Sequence, residues 1–425
     1  MRKMANKVPG LLLSVLAAAI LSAGPAMSKS TIDITDAGSS ARVLGLGKAF
    51  TAVAGDPSSI FVNPAGLSTI NSVDLTTMYT TYMDDMKLTL LGGTYPVPGG
   101  VMGFGYAGNF SGDTPVTTID ASGRVIDTGS RMNYSANQLV VSYATRFGGF
   151  PILFESMKNM AFGVSGKIYL QNMTGPGGGT ASGFDVDAGL LYKHRNGVMV
   201  SVLAKNMLPS TGGQLGTLVW STGGKDGIPS VLKFGTNIKV LGSDGLINAG
   251  GQQLDAAVDL DTDMASGKPA LFHAGVEWKP VEMLALRTGL DQEQAVGTDT
   301  RVSNNGTFGI GLKIGNIGFD YAYRAYSALA ENSAHYFSFN ISNILGAKTA
   351  VSASVEAKAA TPPAAGAEKP AVKARDTSKA AVKSVKPSKQ IKAKKAAPAK
   401  KSISKKPAKK KTKAVKKYKK IRRRR

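Results

Sequence analysis

From Val73 to Ile341 apolar residues alternate with polar or small ones in short runs, and Gly, Pro, Asn and Asp separate the runs. Period two with turn residues between is the signature of β-strands that have two unlike faces. Met160, Phe162, Val164, Ile168 and Leu170 fall on one side of such a run, and Ala161, Gly163, Ser165, Lys167 and Tyr169 on the other. Phe184, Val186, Ala188, Leu190 and Tyr192 alternate in the same way with Asp185, Asp187, Gly189, Leu191 and Lys193. Phe272, Val276 and Trp278 oppose His273, Glu277 and Lys279, and Phe319, Tyr321 and Tyr323 oppose Asp320 and Arg324. The pattern predicts fourteen strands, starting near 73, 87, 100, 132, 158, 182, 196, 230, 253, 270, 283, 305, 316 and 334.

A soluble sandwich alternates too, so the strand count alone does not choose an architecture. Strands of about 9 to 11 residues or more, apolar on one face and carrying charges of both signs on the other, favour a transmembrane barrel with a polar lumen. An even number of strands closed on itself leaves no open edge for lipid to meet. The predicted fold is therefore all-β: a fourteen-stranded antiparallel outer-membrane β-barrel. With the amino terminus on the periplasmic side, inner turns are expected near 98–100, 148–157, 194–196, 241–252, 280–282 and 315–316. Outer loops are expected near 84–86, 111–131, 172–181, 207–229, 262–269, 292–304 and 326–333. Tyr79, Tyr82, Tyr95, Tyr143, Tyr192, Trp278, Tyr323 and Tyr326 stand near strand ends, as interfacial girdles or as a reflection of β-propensity.

Lys167, Asp185, Asp187, Lys193, Asp255, Asp259, Glu277, Arg287, Asp291, Lys313, Asp320 and Arg324 fall on the predicted inward register. Their mixed signs favour paired charges bracing a wet interior over a one-signed selectivity ring. Asp259, Asp261 and Asp263 have the spacing that opens a calcium loop, but Met264 and Ala270 stand where that loop needs Gly and Glu. No metal site is expected there. The absence of Cys removes disulfides, thiolate catalysis and Cys-based metal centres. His194, His273 and His335 are scattered, and none suggests a catalytic triad. Neither an enzyme nor a cofactor is expected.

Composition sharpens this reading. The chain has 50 Gly in 425 residues, about 12 % against a usual 7 %, and it is poor in charge. Its formal charge is +24, yet residues 346–425 hold 28 basic and 3 acidic residues, or +25, which leaves −1 for everything before them. That Lys-, Ala- and Pro-rich tail cannot bury a core and is expected to be disordered. Its candidate partners are polyanions, peptidoglycan first. Tyr418 is its one aromatic residue, so it lacks the stacking platform of a nucleic-acid binder. Residues 1–28 read as a signal peptide, with Arg2, Lys3 and Lys7 before an apolar run over Leu11 to Leu21. Cleavage after Ala26 or after Ser28 both suit its small residues.

Residues 29–72 differ in character from the strands, and the barrel is expected over 73–345. Asp56 followed by Pro57 predicts a helical turn over Pro57 to Val62, which Asn63, Pro64, Ala65 and Gly66 then stop. Gly45 and Gly47 lack the context of a dinucleotide loop. The run "GSSARVLGLGKAFTAVAGDPSSIFVNPAGLS" resembles the N-terminal signature of PorV/PorQ-type proteins within the FadL-like superfamily of outer-membrane barrels. "DVDAGLLYK", "IPSVLKFGTNIKV", "LFHAGVEWKPVEMLALRTGLD" and "GTFGIGLKIGNIGFDYAYRA" resemble the same group. The likeness covers residues 38 to about 342 and implies a fourteen-stranded barrel with an N-terminal hatch that includes Asn63, Pro64, Ala65 and Gly66. Lys48 stands where the pattern more often has Gly or another small residue, and the basic tail has no counterpart.

Two functions follow from the resemblance. A PorV/PorQ-like barrel acts in transport or as a secretion-system accessory that grips other proteins. A FadL-like barrel takes up hydrophobic small molecules such as long-chain fatty acids. The inward sets, mostly Gly, Ser, Ala, Asp, Lys and Arg, favour the broader statement over fatty-acid binding. A third possibility is a structural barrel tied to the cell wall through its tail.

Overall fold

The computed structural model describes residues 33–83, 85–149, 157–194, 197–210, 213–264, 268–295, 301–327 and 333–345. The signal segment and the basic tail lie outside the described residues. Among the described residues there are sixteen strands: β1 Asp74–Tyr82, β2 Met86–Val97, β3 Gly100–Ile119, β4 Val125–Arg146, β5 Met160–Thr174, β6 Gly179–Lys193, β7 Val198–Lys205, β8 Thr217–Trp220, β9 Lys225–Gly227, β10 Val231–Leu241, β11 Gln253–Asp263, β12 Leu271–Val281, β13 Leu284–Gln294, β14 Val302–Ile314, β15 Ile317–Ala325 and β16 Ala334–Ile341.

Fourteen of them form one closed antiparallel ring. Each pairs with its neighbour in sequence, and β16 returns to β1 through pairs such as Thr77 with Phe339. Strands β8 and β9 stand outside the ring as a small hairpin, attached where Ala181 and Ser182 of β6 pair with Trp220 and Val219. The starts predicted from the alternation fall within a few residues of those observed, except that β4 begins at Val125. The segment expected as a loop over 111–131 is instead a ladder, since β3 and β4 stay paired as far as Ile119 and Val125. The expected loop over 207–229 contains the β8–β9 hairpin.

Side chains follow the predicted alternation. Leu91, Phe104, Val141, Ile168, Phe308 and Phe339 point outward and form part of an apolar belt around the barrel. Among the described residues no helix is long and apolar enough to cross a membrane; the strands provide the apolar surface instead. Two members of the proposed girdle, Tyr82 and Tyr326, face inward and are buried. Their strand parity, not their nearness to an end, sets their direction. Tyr95, Tyr192 and Trp278 do face outward near the rim that carries the start of β1. That rim is the turn rim and the opposite one the loop rim; the turn rim also carries the longer connections 147–159 and 242–252, and the loop rim the short ones 83–85, 120–124 and 175–178.

Candidate functional site: a hatch clamped inside the barrel

Residues 33–72 lie within the ring. A 3-10 turn over Ile34–Asp36 leads to a helix over Ala41–Gly45, which Ser40 caps by accepting a hydrogen bond from Val43 N at 3.2 Å. The sequence pattern predicts no helix here, because five residues are too few to show a 3.6-residue period. The helix expected over Pro57 to Val62 covers only Ser59–Val62, with Ser58 at its N-cap and no side-chain cap; Asp56 accepts from Ser58 N at 2.8 Å in the turn that leads into it. Asn63 starts a 3-10 helix over Pro64–Thr69, its Oδ1 accepting from Ala65 N at 3.1 Å. The Ala41–Gly45 helix packs against β13 to β16, and the Pro64–Thr69 helix against β3 to β6, so the segment crosses the lumen.

The two sides of the lumen are chemically different. Ile60, Phe61, Leu67 and Ile70 of the hatch join inward Met78, Leu88, Leu90, Val101 and Val140 in one buried apolar cluster. The expectation of a mostly small and charged inward face is therefore wrong for β1 to β4. In those strands both faces carry apolar residues: one lies on the outside of the barrel and the other meets the hatch. From β5 to β15 the inward face is mostly polar or small, with Tyr169, Leu191, Met199 and Leu203 as apolar exceptions, and there ion pairs and hydrogen bonds hold the hatch.

Three clamps carry most of this attachment. Arg42 donates to both carboxylate oxygens of Glu277, at 3.0 and 2.8 Å, and to Asp56 at 2.7 Å. Glu277 also pairs with Arg287 at 2.5 Å, and Arg287 with Asp320 at 2.6 Å. Burial works to lower the pKa of Arg42, but Glu277 and Asp56 overcome it and hold the guanidinium well above its usual value. At a second corner Asp33 accepts from Thr35 N and from the Tyr169 hydroxyl, both at 3.0 Å, and lies 3.3 Å from Lys205 and 3.4 Å from Lys167. Lys167 also pairs with Asp187 at 2.6 Å and donates to Asn206. Burial alone would raise the Asp33 pKa; the two ammonium groups and the Thr35 hydrogen bonds hold it well below the usual carboxylate range. In the third clamp one carboxylate oxygen of Asp259 accepts from Phe50 N at 2.9 Å and Thr51 N at 2.8 Å.

Asn63 ties the hatch to itself and to the wall, its Nδ2 donating to Thr51 O and to Ser201 Oγ, each at 2.7 Å. Asp185 is buried and accepts from Val186 N at 2.7 Å and Leu208 N at 3.0 Å. Arg324 meets Asp291 at 2.5 Å and Glu293 at 2.7 Å. Lys193 and Lys313, expected inward, are exposed near strand ends where the wall gives way to the turn rim, and Asp255 is half-buried. Asp261 pairs with Lys233 at 2.6 Å and Asp263 with Lys268 at 3.3 Å, and no metal-holding cluster exists among the described residues.

Glycine makes the close fit possible. A Cβ on Gly163 would stand 2.3 Å from Ala65 N, one on Gly189 2.0 Å from Asn63 Oδ1, and one on Gly275 2.3 Å from Leu46 O. Lys48 sits at φ 66°, in the region that favours glycine, with its ammonium 3.4 Å from Asp291. That backbone explains why a small residue suits the position. Burial, and then the nearby Arg324, lower the Lys48 pKa.

The hatch leaves a cavity of about 260 Å³ at the loop rim, bordered by Phe61, Val62, Lys205 and Lys233. Another of about 460 Å³ lies at the turn rim, beside Arg42, Asp56 and Lys279.

Solved structures similar to this chain include the P. putida toluene transporter TodX, at 12% identity over 71% of this chain and 95% of that one, with a TM-score of 0.47. CymD, a monoaromatic hydrocarbon channel, aligns at 12% identity over 73% of this chain and 98% of its own, with a TM-score of 0.48. A Pseudomonas aeruginosa FadL homologue aligns at 11% identity over 72% and 98%, with a TM-score of 0.44. No family model and no curated protein matches the sequence.

Proposed function

We propose that this protein is an outer-membrane transport barrel that moves hydrophobic or amphipathic small molecules past a hatch held by releasable ion pairs. The observation that carries this reading is the hatch itself: it parts two cavities, one at each rim, and is fastened on its charged side by the Arg42, Asp33 and Asp259 clamps. The outward belt supports membrane residence. Inward Leu88, Leu90, Val101 and Val140 supply an apolar wall along which such a molecule travels when the hatch shifts. In this reading the turn rim faces the periplasm and the barrel is not an enzyme. The test is reconstitution of the full chain and of a 33–72 deletion in planar bilayers and in liposomes. The deletion should conduct steadily and pass an apolar dye, and the intact chain should conduct far less. Equal conductance from both would overturn the proposal.

A second reading, a PorV/PorQ-like accessory in protein secretion, draws support from the β3–β4 hairpin. It continues beyond the last partners of its neighbours, Phe110 with Lys87 and Asn133 with Thr174. Its tip exposes Ile119 at 71% and Val125 at 69%. Free strand edges beside apolar side chains suit a protein partner that adds a strand. Site-specific cross-linking from Ile119 in cells should trap a protein under this reading and nothing under the first. The tail supports a further role as a tether to peptidoglycan, because the chain leaves the barrel at the turn rim, where Ile344 N donates to Val73 O at 3.0 Å. Loss of residues 346–425 should abolish co-sedimentation with peptidoglycan at low salt.

A further inference from the structure

The Pro64–Thr69 helix of the hatch carries no charged side chain, so no ion pair of the kind that fastens Arg42 and Asp33 can hold it to the wall. Ala65 packs instead on inward Ala161 and Leu191, and Arg146 Nε donates to Ser68 O at 3.0 Å. Arg146, Ala161 and Leu191 form one inward row across β4, β5 and β6. Lys193, opposite Met199 of β7, ends the same face of β6 two residues nearer the turn rim.

Between this helix and the wall lies a pocket of about 150 Å³, bordered by Ser68, Arg146, Lys158 and Lys193 and, on its apolar side, by Met160 and Met199. Three of its lining side chains are cationic and none is acidic. Elsewhere in the lumen Lys167, Lys205, Lys233, Arg287 and Arg324 each lie 2.5 to 2.6 Å from an Asp or Glu oxygen. Among the described residues neither Arg146 nor Lys193 meets a carboxylate. The Ser68 hydroxyl is buried and makes no hydrogen bond.

We propose that this pocket binds a phosphate group that arrives from the turn-rim side and ties the Pro64–Thr69 end of the hatch to the wall. Positive charge without a matching carboxylate, in a recess walled by the hatch, draws an anion. Arg146 commits only its Nε to Ser68, which leaves its terminal N–H groups for ligand oxygens. A guanidinium, an ammonium and a hydroxyl placed around one point suit the several oxygens of a tetrahedral phosphate. The volume is below that of a drug-sized site and fits one such group. Phosphate occurs both on solutes and on lipids. Arg146 and Lys193 lie on the lumen face and not on the outward belt, so the source is a solute.

The test is hydrogen exchange over residues 64–69, read by mass spectrometry on the full-length protein refolded in detergent micelles and titrated with inorganic phosphate at constant ionic strength. The basic tail also attracts phosphate, so this local signal decides and not total binding. Exchange should slow about tenfold at ten times the half-saturating concentration. Lys193→Gln, which touches no hatch residue, should raise that concentration about tenfold, and Ser68→Ala about threefold. Unchanged exchange, equal slowing by acetate, slowing only when phosphatidylglycerol is added to the micelles, or either variant responding as the parent would each overturn the proposal. Control over transport rests further on the proposed release of the hatch: phosphate at the turn-rim side should lower the open fraction in planar bilayers. Slowed exchange with an unchanged open fraction would refute that release and leave the phosphate site standing.

Discussion

Replacing Arg42 by Met tests whether ions hold the hatch. Arg42 reaches Glu277 twice and Asp56 once, at 3.0, 2.8 and 2.7 Å, and Met fills the aliphatic part of its volume without any of these bonds. Breaking a buried ion pair from one side costs about 3 to 5 kcal/mol. The lower end applies, because Glu277 keeps Arg287 at 2.5 Å and Lys279 at 3.1 Å. About 3 kcal/mol is roughly a hundredfold increase in the population of the released hatch. Under the proposed transport function, single-channel recording in planar bilayers reads this population as the fraction of time spent open. No strand pairing involves Arg42, so the temperature at which the barrel unfolds in a heat-shift gel should stay near that of the parent. The double variant with Glu277→Gln should lose less than the sum of the two single changes, which assigns the effect to the pair. An R42M barrel as closed as the parent, or one whose ladder melts together with its hatch, would refute the reasoning.

Gly163→Ala and Gly189→Ala should each unseat the Asn63–Ala65 turn, costing about 1 to 3 kcal/mol by overpacking and raising protease cleavage within 33–72 while the ladder stays intact. Lys48→Gly should leave hatch stability unchanged or raise it by about 1 kcal/mol, since it removes both the left-handed strain and a half-buried ammonium; a lower melting temperature would give the Lys48–Asp291 pair the larger share. The Asp33 pKa is depressed in the folded protein, so its contribution is complete above the unfolded value of about 4 and is lost as pH falls further, through the folded value. Open probability should therefore be flat on this account from pH 8 to about 4 and should climb below it. An Asp33→Asn variant should already be partly open at pH 7 and should lack that climb.

The strands were legible in the sequence because a barrel wall separates two environments at every second residue, and the alternation of Phe184, Asp185, Val186 and Asp187 records this directly. The inward direction of Lys167, Glu277, Arg287, Asp320 and Arg324 followed from the same parity. Their partners did not, because Arg42 and Glu277 are 235 positions apart and no local pattern links them. The inner face of β1 to β4 misled for a related reason: Leu88 and Leu90 face a hatch element contributed from a distance, and alternation reports the contrast between two faces, not what each one touches. The Ala41–Gly45 helix was too short to show a period. Its Ser40 cap was the one sign of it, and Ser before Ala-Arg-Val does not by itself mark a helix start. The ladder at the β3–β4 tip was hidden by Gly123, Gly129 and Pro115, which read as loop residues and serve there in turns and register shifts.

The glycines at 163, 189 and 275 mean that the wall was shaped around its hatch as a casting is shaped by its mould. Each missing side chain matches one stretch of hatch backbone, so the two parts form a matched pair and neither can be exchanged alone. A hatch from another barrel, grafted before Val73, would meet recesses cut for a different outline and leave either clashes or voids. Substitutions on one side of this seam would then be tolerated only together with changes on the other, although nearly a hundred residues or more separate the two parts in sequence.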